Sequence, residues 1–244
     1  MIFVAVAVAA APVNDTFPGT TISGASGTLA GTTVEATKET GEPNNNQIPE
    51  ADFVTESDLG GVSVWYTWTA PSSGTFHICV VPGIDEFNPD TTLGVWTGLA
   101  VDSLTEVAFN DDTTGLRRGS WVMFGATSGT TYRIGVGGYG GDTGPFTLEW
   151  GTTDCVPPQT FISSPKVRGK RFSADFSATE NVAGTVTFEC SLDGGPFTAC
   201  TSPFLYTAPG RGTHTLEVQA TDAASNVDPS PATFTFETHG PPVP

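Results

Sequence analysis

Basic residues are scarce in this chain: nine lysines and arginines stand against 26 aspartates and glutamates in 244 residues, a net charge of −17. A surface this acidic repels nucleic acid and anionic membranes. Histidine is nearly as rare, with only His77, His214 and His239. His77 and His214 fall in strand-like runs, where an ordinary surface or core role is common, and His239 lies near the C-terminus. Acyl-transfer catalysis needs a base beside a nucleophile, and no Gly-x-Ser-x-Gly elbow is present. Zinc ligation lacks suitably spaced His or Cys pairs, apart from Cys190 and Cys200, which read better as a bridge. No apolar run reaches the length that spans a bilayer, so no membrane insertion is expected. No stretch has helical periodicity. These shortages predict a chain that is not an enzyme. Paired carboxylates of the glycosidase kind do not stand out, because acidic residues are too numerous for any pair to be singled out.

What the chain has is turn formers and strand formers. Its 29 glycines and 19 prolines make roughly a fifth of the residues, and threonine, valine and phenylalanine, which favour pleated half-buried surfaces, are plentiful. Val62 to Thr69 reads Val-Ser-Val-Trp-Tyr-Thr-Trp-Thr. Its alternation places Val62, Val64, Tyr66 and Trp68 on one face. Similar runs follow at Thr75–Val81, Thr91–Trp96, Leu104–Phe109, Ser120–Ala126, Thr131–Val136 and Phe146–Trp150, with turn signals between them. Cys155-Val156-Pro157-Pro158 interrupts the pattern, since two prolines stop sheet pairing and stiffen a connection. It restarts at Phe172–Ser177, Val186–Leu192, His214–Thr221 and Thr233–Phe236. The reading is all-β, two tandem antiparallel β-sandwiches. The expected divisions are residues 1–12 as a leader, 13–152 as the first sandwich, 153–158 as a linker, 159–238 as the second sandwich and 239–244 as a tail or further linker.

Four cysteines, an even number, suit an oxidising compartment. Asp193-Gly194-Gly195 is a hairpin signal flanked by Cys190 and Cys200, which predicts that these two are bonded. Elimination then pairs Cys79 with Cys155. The uncharged run Ile2–Val13, ending in small residues, has the look of the apolar core of a signal peptide without its basic start; a first strand is the alternative. The expected location is secreted or cell surface. Charge is uneven: residues 1–154 hold 18 acids and 4 bases, −14, and residues 155–244 hold 8 and 5, −3.

Several stretches carry a resemblance. Asn14-Asp15-Thr16-Phe17, the segment Ala36–Pro43, Ser63–Trp68, Ala70–Thr75, Asp90–Leu93, Asn110-Asp111-Asp112 and Tyr132–Phe146 resemble, in order, the bacterial pre-peptidase C-terminal domain family. That resemblance implies a jelly-roll-like sandwich appended to secreted peptidases and surface proteins. The segment Asn44–Gly60 is longer and more acidic than the family pattern. Phe188–Pro203 followed by Gly212–Ala224 resembles an immunoglobulin-like or fibronectin-like repeat of exported bacterial proteins, departing from it where Ser225 precedes Asn226. The implied function is a non-catalytic extracellular binding or spacer module that contacts protein, glycan or a neighbouring module. The alternative is an accessory region of a secreted peptidase or other hydrolase.

Calcium is the one cofactor these residues argue for, since hard cations need several converging oxygen ligands. In calcium-binding relatives, such as collagenase collagen-binding domains, an Asn-Asp pair at the domain start binds metal with acids from a later loop. Asn14 and Asp15 match that pair, and Glu39 and Glu42 are assigned by their nearness to the motif. A second set is Asp90 with Asn110, Asp111 and Asp112. The plain alternative for both is turn formation, because Asn and Asp side chains bond nearby backbone amides. Gly135-Val136-Gly137-Gly138-Tyr139-Gly140 spells GxGxxG, but no helix can open after it, so it reads as a wide hairpin turn. The aromatics Trp65, Tyr66, Trp68, Trp96, Trp121 and Trp150 belong to strand runs. Tyr139, at the glycine-rich turn, is the exposed one and the candidate ligand contact. Lys166–Arg171 reads as an edge strand guarded by charge.

Overall fold

The computed structural model describes residues 10–43, 59–83, 88–113 and 118–239. Most of the apolar leader run, most of the acidic Asn44–Gly60 segment and the last five residues of the tail lie outside the described residues. The chain divides into two compact units, Met1–Cys155 and Val156–Pro244.

The first unit is a sandwich of two sheets. One contains β1 (Thr20–Ile22), β3 (Ser63–Thr69), β8 (Thr131–Gly138), β5 (Thr91–Thr97) and β6 (Thr105–Asn110), in that order. The other contains β2 (Gly27–Thr32), β9 (Pro145–Gly151), β4 (Gly74–Pro82) and β7 (Ser120–Ala126). Pairing is antiparallel except between β1 and β3. The period of two puts Val64, Tyr66 and Trp68 of β3 inward against Phe76, Ile78 and Val80 of β4 and Phe146 and Leu148 of β9. Burying each large apolar side chain contributes about 1.5–3 kcal/mol before the cost of ordering it.

The opposite face of the first sheet is buried as well. Trp65 of β3 and Trp96 of β5 pack there with Leu59, and Phe17, Val101 and Leu104 cover them. The GxGxxG run finds its explanation on this face, and the expectation of a wide turn is corrected. Gly135, Gly137 and Gly138 lie inside β8, and only Gly140 sits in the turn that follows. A Cβ on Gly135 would stand 2.7 Å from Leu59 Cδ1 and 3.0 Å from the Trp96 indole, and one on Gly94 would stand 1.9 Å from that indole. The glycines make room for the tryptophans.

The second unit sets a sheet of β10 (Gln159–Arg168), β11 (Arg171–Thr179) and β14 (Phe204–Thr207) against one of β13 (Thr198–Cys200), β12 (Thr187–Leu192), β15 (Gly212–Thr221) and β16 (Ala232–Thr238). Phe172, Ala174 and Phe176 of β11 face Leu216, Val218 and Phe236. The all-β, two-sandwich expectation therefore holds.

All four cysteines are bonded, Cys79 to Cys155 and Cys190 to Cys200. Asp193 and Gly194 both have positive φ, and the Gly195 amide donates to the Leu192 carbonyl, so the turn after β12 is of the hairpin type that the Asp-Gly signal predicts. Cys190 is paired with Thr198 and Phe188 with Cys200, so the bridge joins diagonal neighbours on adjacent strands. Replacing both with serine (C190S/C200S) opens a loop of 10 residues. The expected loss from chain entropy is about 2–3 kcal/mol in the second unit. Calorimetry of the full chain should show the change in that unit's transition alone.

Candidate functional site

The two proposed cation sets meet different fates. Asp15, Glu39 and Glu42 do not bring carboxylate oxygens within 4.8 Å of one another. Each ties a separate loop to a separate donor. Asp15 accepts from the Thr37 amide at 2.6 Å and the Thr37 hydroxyl at 2.9 Å. Glu39 accepts from the Phe17 amide at 2.6 Å. Buried Glu42 accepts from Ser63 Oγ at 2.7 Å and from Trp65 Nε1 at 3.0 Å. Asn14 donates to the Trp65 carbonyl. This set forms a polar brace around β3, and its three carboxylates do not gather at one point.

The second set does converge. Asp90 immediately precedes β5, and Asp111 and Asp112 immediately follow β6, its neighbour in the sheet. One ligand oxygen from each lies within 4.8 Å of the others. Asn110, the fourth member, turns elsewhere: its Oδ1 accepts from Thr113 Oγ1 at 2.6 Å and from the Trp121 amide at 3.1 Å. It holds the loop that presents Asp111 and Asp112. The Asp111 carbonyl is pinned in turn by Ser120 Oγ at 2.5 Å.

Two further charged residues, which the sequence did not single out, complete the surroundings. Arg118 Nη1 lies 3.1 Å from Asp90 Oδ2. Asp142 accepts from the Asp90 amide at 2.9 Å. Tyr139 is 55% exposed, and its amide donates to the Asp90 carbonyl, so the candidate ligand residue sits beside the acidic cluster.

The electrostatics are unfavourable for the cluster as it stands. Burial, with the nearby charges of Asp112 and Asp90, pushes the Asp111 carboxyl up to about 7. Burial and Asp112 also raise Asp90, opposed by Arg118, and burial raises Asp112. Asp111 Oδ1 is buried and accepts no hydrogen bond. Among the described residues, three carboxylates face one guanidinium, that of Arg118, and Asp142 adds a further acidic neighbour to Asp90. Oxygens bound to one calcium ion lie no more than roughly 5 Å apart, twice the ligand distance, and the three carboxylates each bring an oxygen within that limit of the others.

A pH dependence follows. A carboxyl raised in the folded state contributes stability that is fully present below its unfolded value of 3.8 and is lost as pH rises through the folded one, here about 7. Asp90 and Asp112 act in the same sense. Without divalent metal, the melting midpoint of the first unit should therefore fall between pH 5 and pH 8, and Asp111→Asn should flatten much of that fall. All five tryptophans lie in the first unit, so their fluorescence follows it alone. A midpoint that rises with pH in both proteins would contradict the assignment.

His77 acts in the opposite sense and is common to both proteins. Burial lowers its pKa, partly countered by Asp154 at 3.8 Å, and Trp121 Nε1 donates to its Nδ1 at 3.3 Å. It is a buried, hydrogen-bonded histidine.

No family model matches the chain, and no curated protein matches it in sequence. Among solved structures, the PKD1 domain of Vibrio anguillarum Epp is 16% identical and covers 36% of this chain and 100% of its own, with a TM-score of 0.31. Fibronectin(III)-like modules of Clostridium thermocellum CbhA are 15% identical over 70% of this chain and 88% of theirs, also at 0.31. A Ruminococcus gnavus beta-glucuronidase is 12% identical, covering 88% of this chain and 44% of its own, at 0.31. Likenesses at this level assign no function, and the kinship to the pre-peptidase C-terminal domain family stays a resemblance. Among the described residues, no helix is long and apolar enough to cross a membrane.

Proposed function

We propose that the chain is a non-catalytic extracellular binding or spacer module of a larger exported protein, stabilised by calcium at Asp90, Asp111 and Asp112. The observation that carries the extracellular part is the pairing of all four cysteines, one bridge within each unit. Such bonds persist where thiols are not kept reduced. Two disulfide-braced sandwiches are stiff elements, suited to holding neighbouring domains apart. The calcium reading rests on the unpartnered Asp111 Oδ1 within a carboxylate trio. Asp90, Asp111 and Asp112 would supply ligand oxygens, and the metal would supply the missing positive charge.

Isothermal titration of the full chain tests the metal. One calcium per chain is expected, with a dissociation constant on the order of 10⁻⁴–10⁻³ M, as for extracellular modules. Binding should disappear in Asp111→Asn. An equal response to magnesium would point to diffuse screening and contradict the site. The non-catalytic part is tested by peptide, ester and glycoside substrates, for which no turnover is expected. Activity abolished by changing one named carboxylate would contradict it.

A further inference from the structure

The second unit holds five basic residues, and four of them, Lys166, Arg168, Lys170 and Arg171, fall in the single hairpin β10–β11; the fifth is Arg211. The inward face of β11 is Phe172, Ala174 and Phe176, so Arg171, Ser173 and Asp175 face outward. Arg168 stands directly across from Arg171, and Lys166 across from Ser173. On the far side of β11, Thr207 stands opposite Arg171 and Leu205 opposite Ser173. The outer face therefore carries two rows, Arg168–Arg171–Thr207 and Lys166–Ser173–Leu205. They line a shallow groove of about 500 Å³ in which Leu205 is 73% exposed.

A β-bulge makes this face basic. The register of β10 slips between Ser163 and Lys166, and Ser164 takes a left-handed φ of 50°. One extra residue reverses the in–out alternation of everything beyond it. Without the slip, Lys166 and Arg168 would point with Phe172 into the core. With it, they join Arg171 outside.

Charged guarding of a sheet edge accounts for Lys166 and Arg168, because β10 is an edge strand. It does not account for Arg171, which is on the central strand. Like charges placed directly across a strand pair destabilise the sheet, and among the described residues no carboxylate pairs with Lys166, Arg168 or Arg171. Asp175, four residues along β11 from Arg171, is the one acid on the outer face of that strand. An unrelieved cationic pair in a chain of charge −17 points to an anion supplied from outside.

We propose that the outer face of β10–β11–β14 binds an acidic polysaccharide through Lys166, Arg168 and Arg171. This deepens the reading of the chain as an extracellular binding module and rests on it. Guanidinium forks match the planar geometry of carboxylate and the oxygens of sulfate. The groove's volume of about 500 Å³ falls in the range of small-ligand clefts. Cations on neighbouring strands, about 4.8 Å apart, and two residues apart along a strand, about 6.8 Å, can follow charges spaced along one extended chain. A flat anionic membrane would meet the repulsion of the whole acidic protein, whereas a thin polymer meets the patch.

The test uses the full chain with polygalacturonate and chondroitin sulfate as probes, and with neutral dextran, poly-L-glutamate and anionic phosphatidylserine vesicles as comparisons. Binding to at least one acidic polysaccharide is expected at 50 mM salt, weakening as salt rises, with none to dextran. R168S/R171S should weaken it at least tenfold while keeping or raising the melting midpoint of the second unit, because the repelling pair is gone. Equal binding by the variant, no binding to either polysaccharide, or tighter binding to poly-L-glutamate or vesicles would overturn the proposal. Release of reducing ends from a bound probe would overturn the non-catalytic reading instead and leave the binding surface standing.

Discussion

Removing the Cys79–Cys155 bond as C79S/C155S should lower the stability of the first unit by about 4.5 kcal/mol, from the chain entropy released when a loop of 76 residues is opened. Cys79 lies fully buried in β4, between β9 and β7. Cys155 closes the unit, four residues beyond the end of β9. The bridge thus fastens the end of the unit to its own sheet. Denaturant unfolding followed by tryptophan fluorescence reads the first unit alone, because the second has no tryptophan. The midpoint should drop sharply, and the slope should rise because the unfolded chain, freed of the bond, exposes more surface. A shift below about 1 kcal/mol would mean that the strand pairing already holds the end in place.

Glu42→Ala should cost the first unit about 3–5 kcal/mol. Trp65 Nε1 and Ser63 Oγ both donate to this carboxylate, and all three residues are buried. Hydrogen bonds to a charged acceptor contribute about 1.5–3 kcal/mol each, and the donors left behind find no water. Glu42→Gln keeps an acceptor and should recover part of the loss. The loss should be the same in calcium and in chelator. If it appeared only in calcium, Glu42 would be a metal ligand after all, and the brace around β3 would be misassigned.

That residue also shows where the sequence stops being legible. The inward face of β3 is readable, because Val64, Tyr66 and Trp68 alternate with residues of the other face over seven positions. Its double burial is not. Trp65 is covered by Leu59, six residues before it, and by the Trp96 ring of β5, in space left by Gly94 and Gly135. Once Trp65 is buried its indole N–H needs an acceptor, and Glu42 is that acceptor. No local pattern signals this.

Short or irregular strands were equally hard to see. β13 and β14 have three and four residues. β2 begins Gly-Thr-Leu-Ala-Gly, too weak in apolar content to register. β10 breaks alternation at its Ser164–Pro165 bulge, so its basic end read as charge guarding an edge. The acidic cluster was partly visible. Asp111-Asp112 stands out as a pair in the sequence, and the structure places Asp90 beside it. Arg118 and Asp142 carry no local sequence signal, because their approach depends on how β5, β7 and the turn after β8 come together.

Calcium-dependent melting of the full chain tests the central claim most directly. Calcium at a tenfold excess over its dissociation constant adds about 1.4 kcal/mol to the unit that binds it. In millimolar calcium the fluorescence midpoint of the first unit should rise by several degrees over its value in chelator. The second unit's calorimetric transition should stay in place, and Asp111→Asn should remove the gain. Equal midpoints in calcium and chelator, or a gain that survives Asp111→Asn, would contradict a calcium site at Asp90, Asp111 and Asp112.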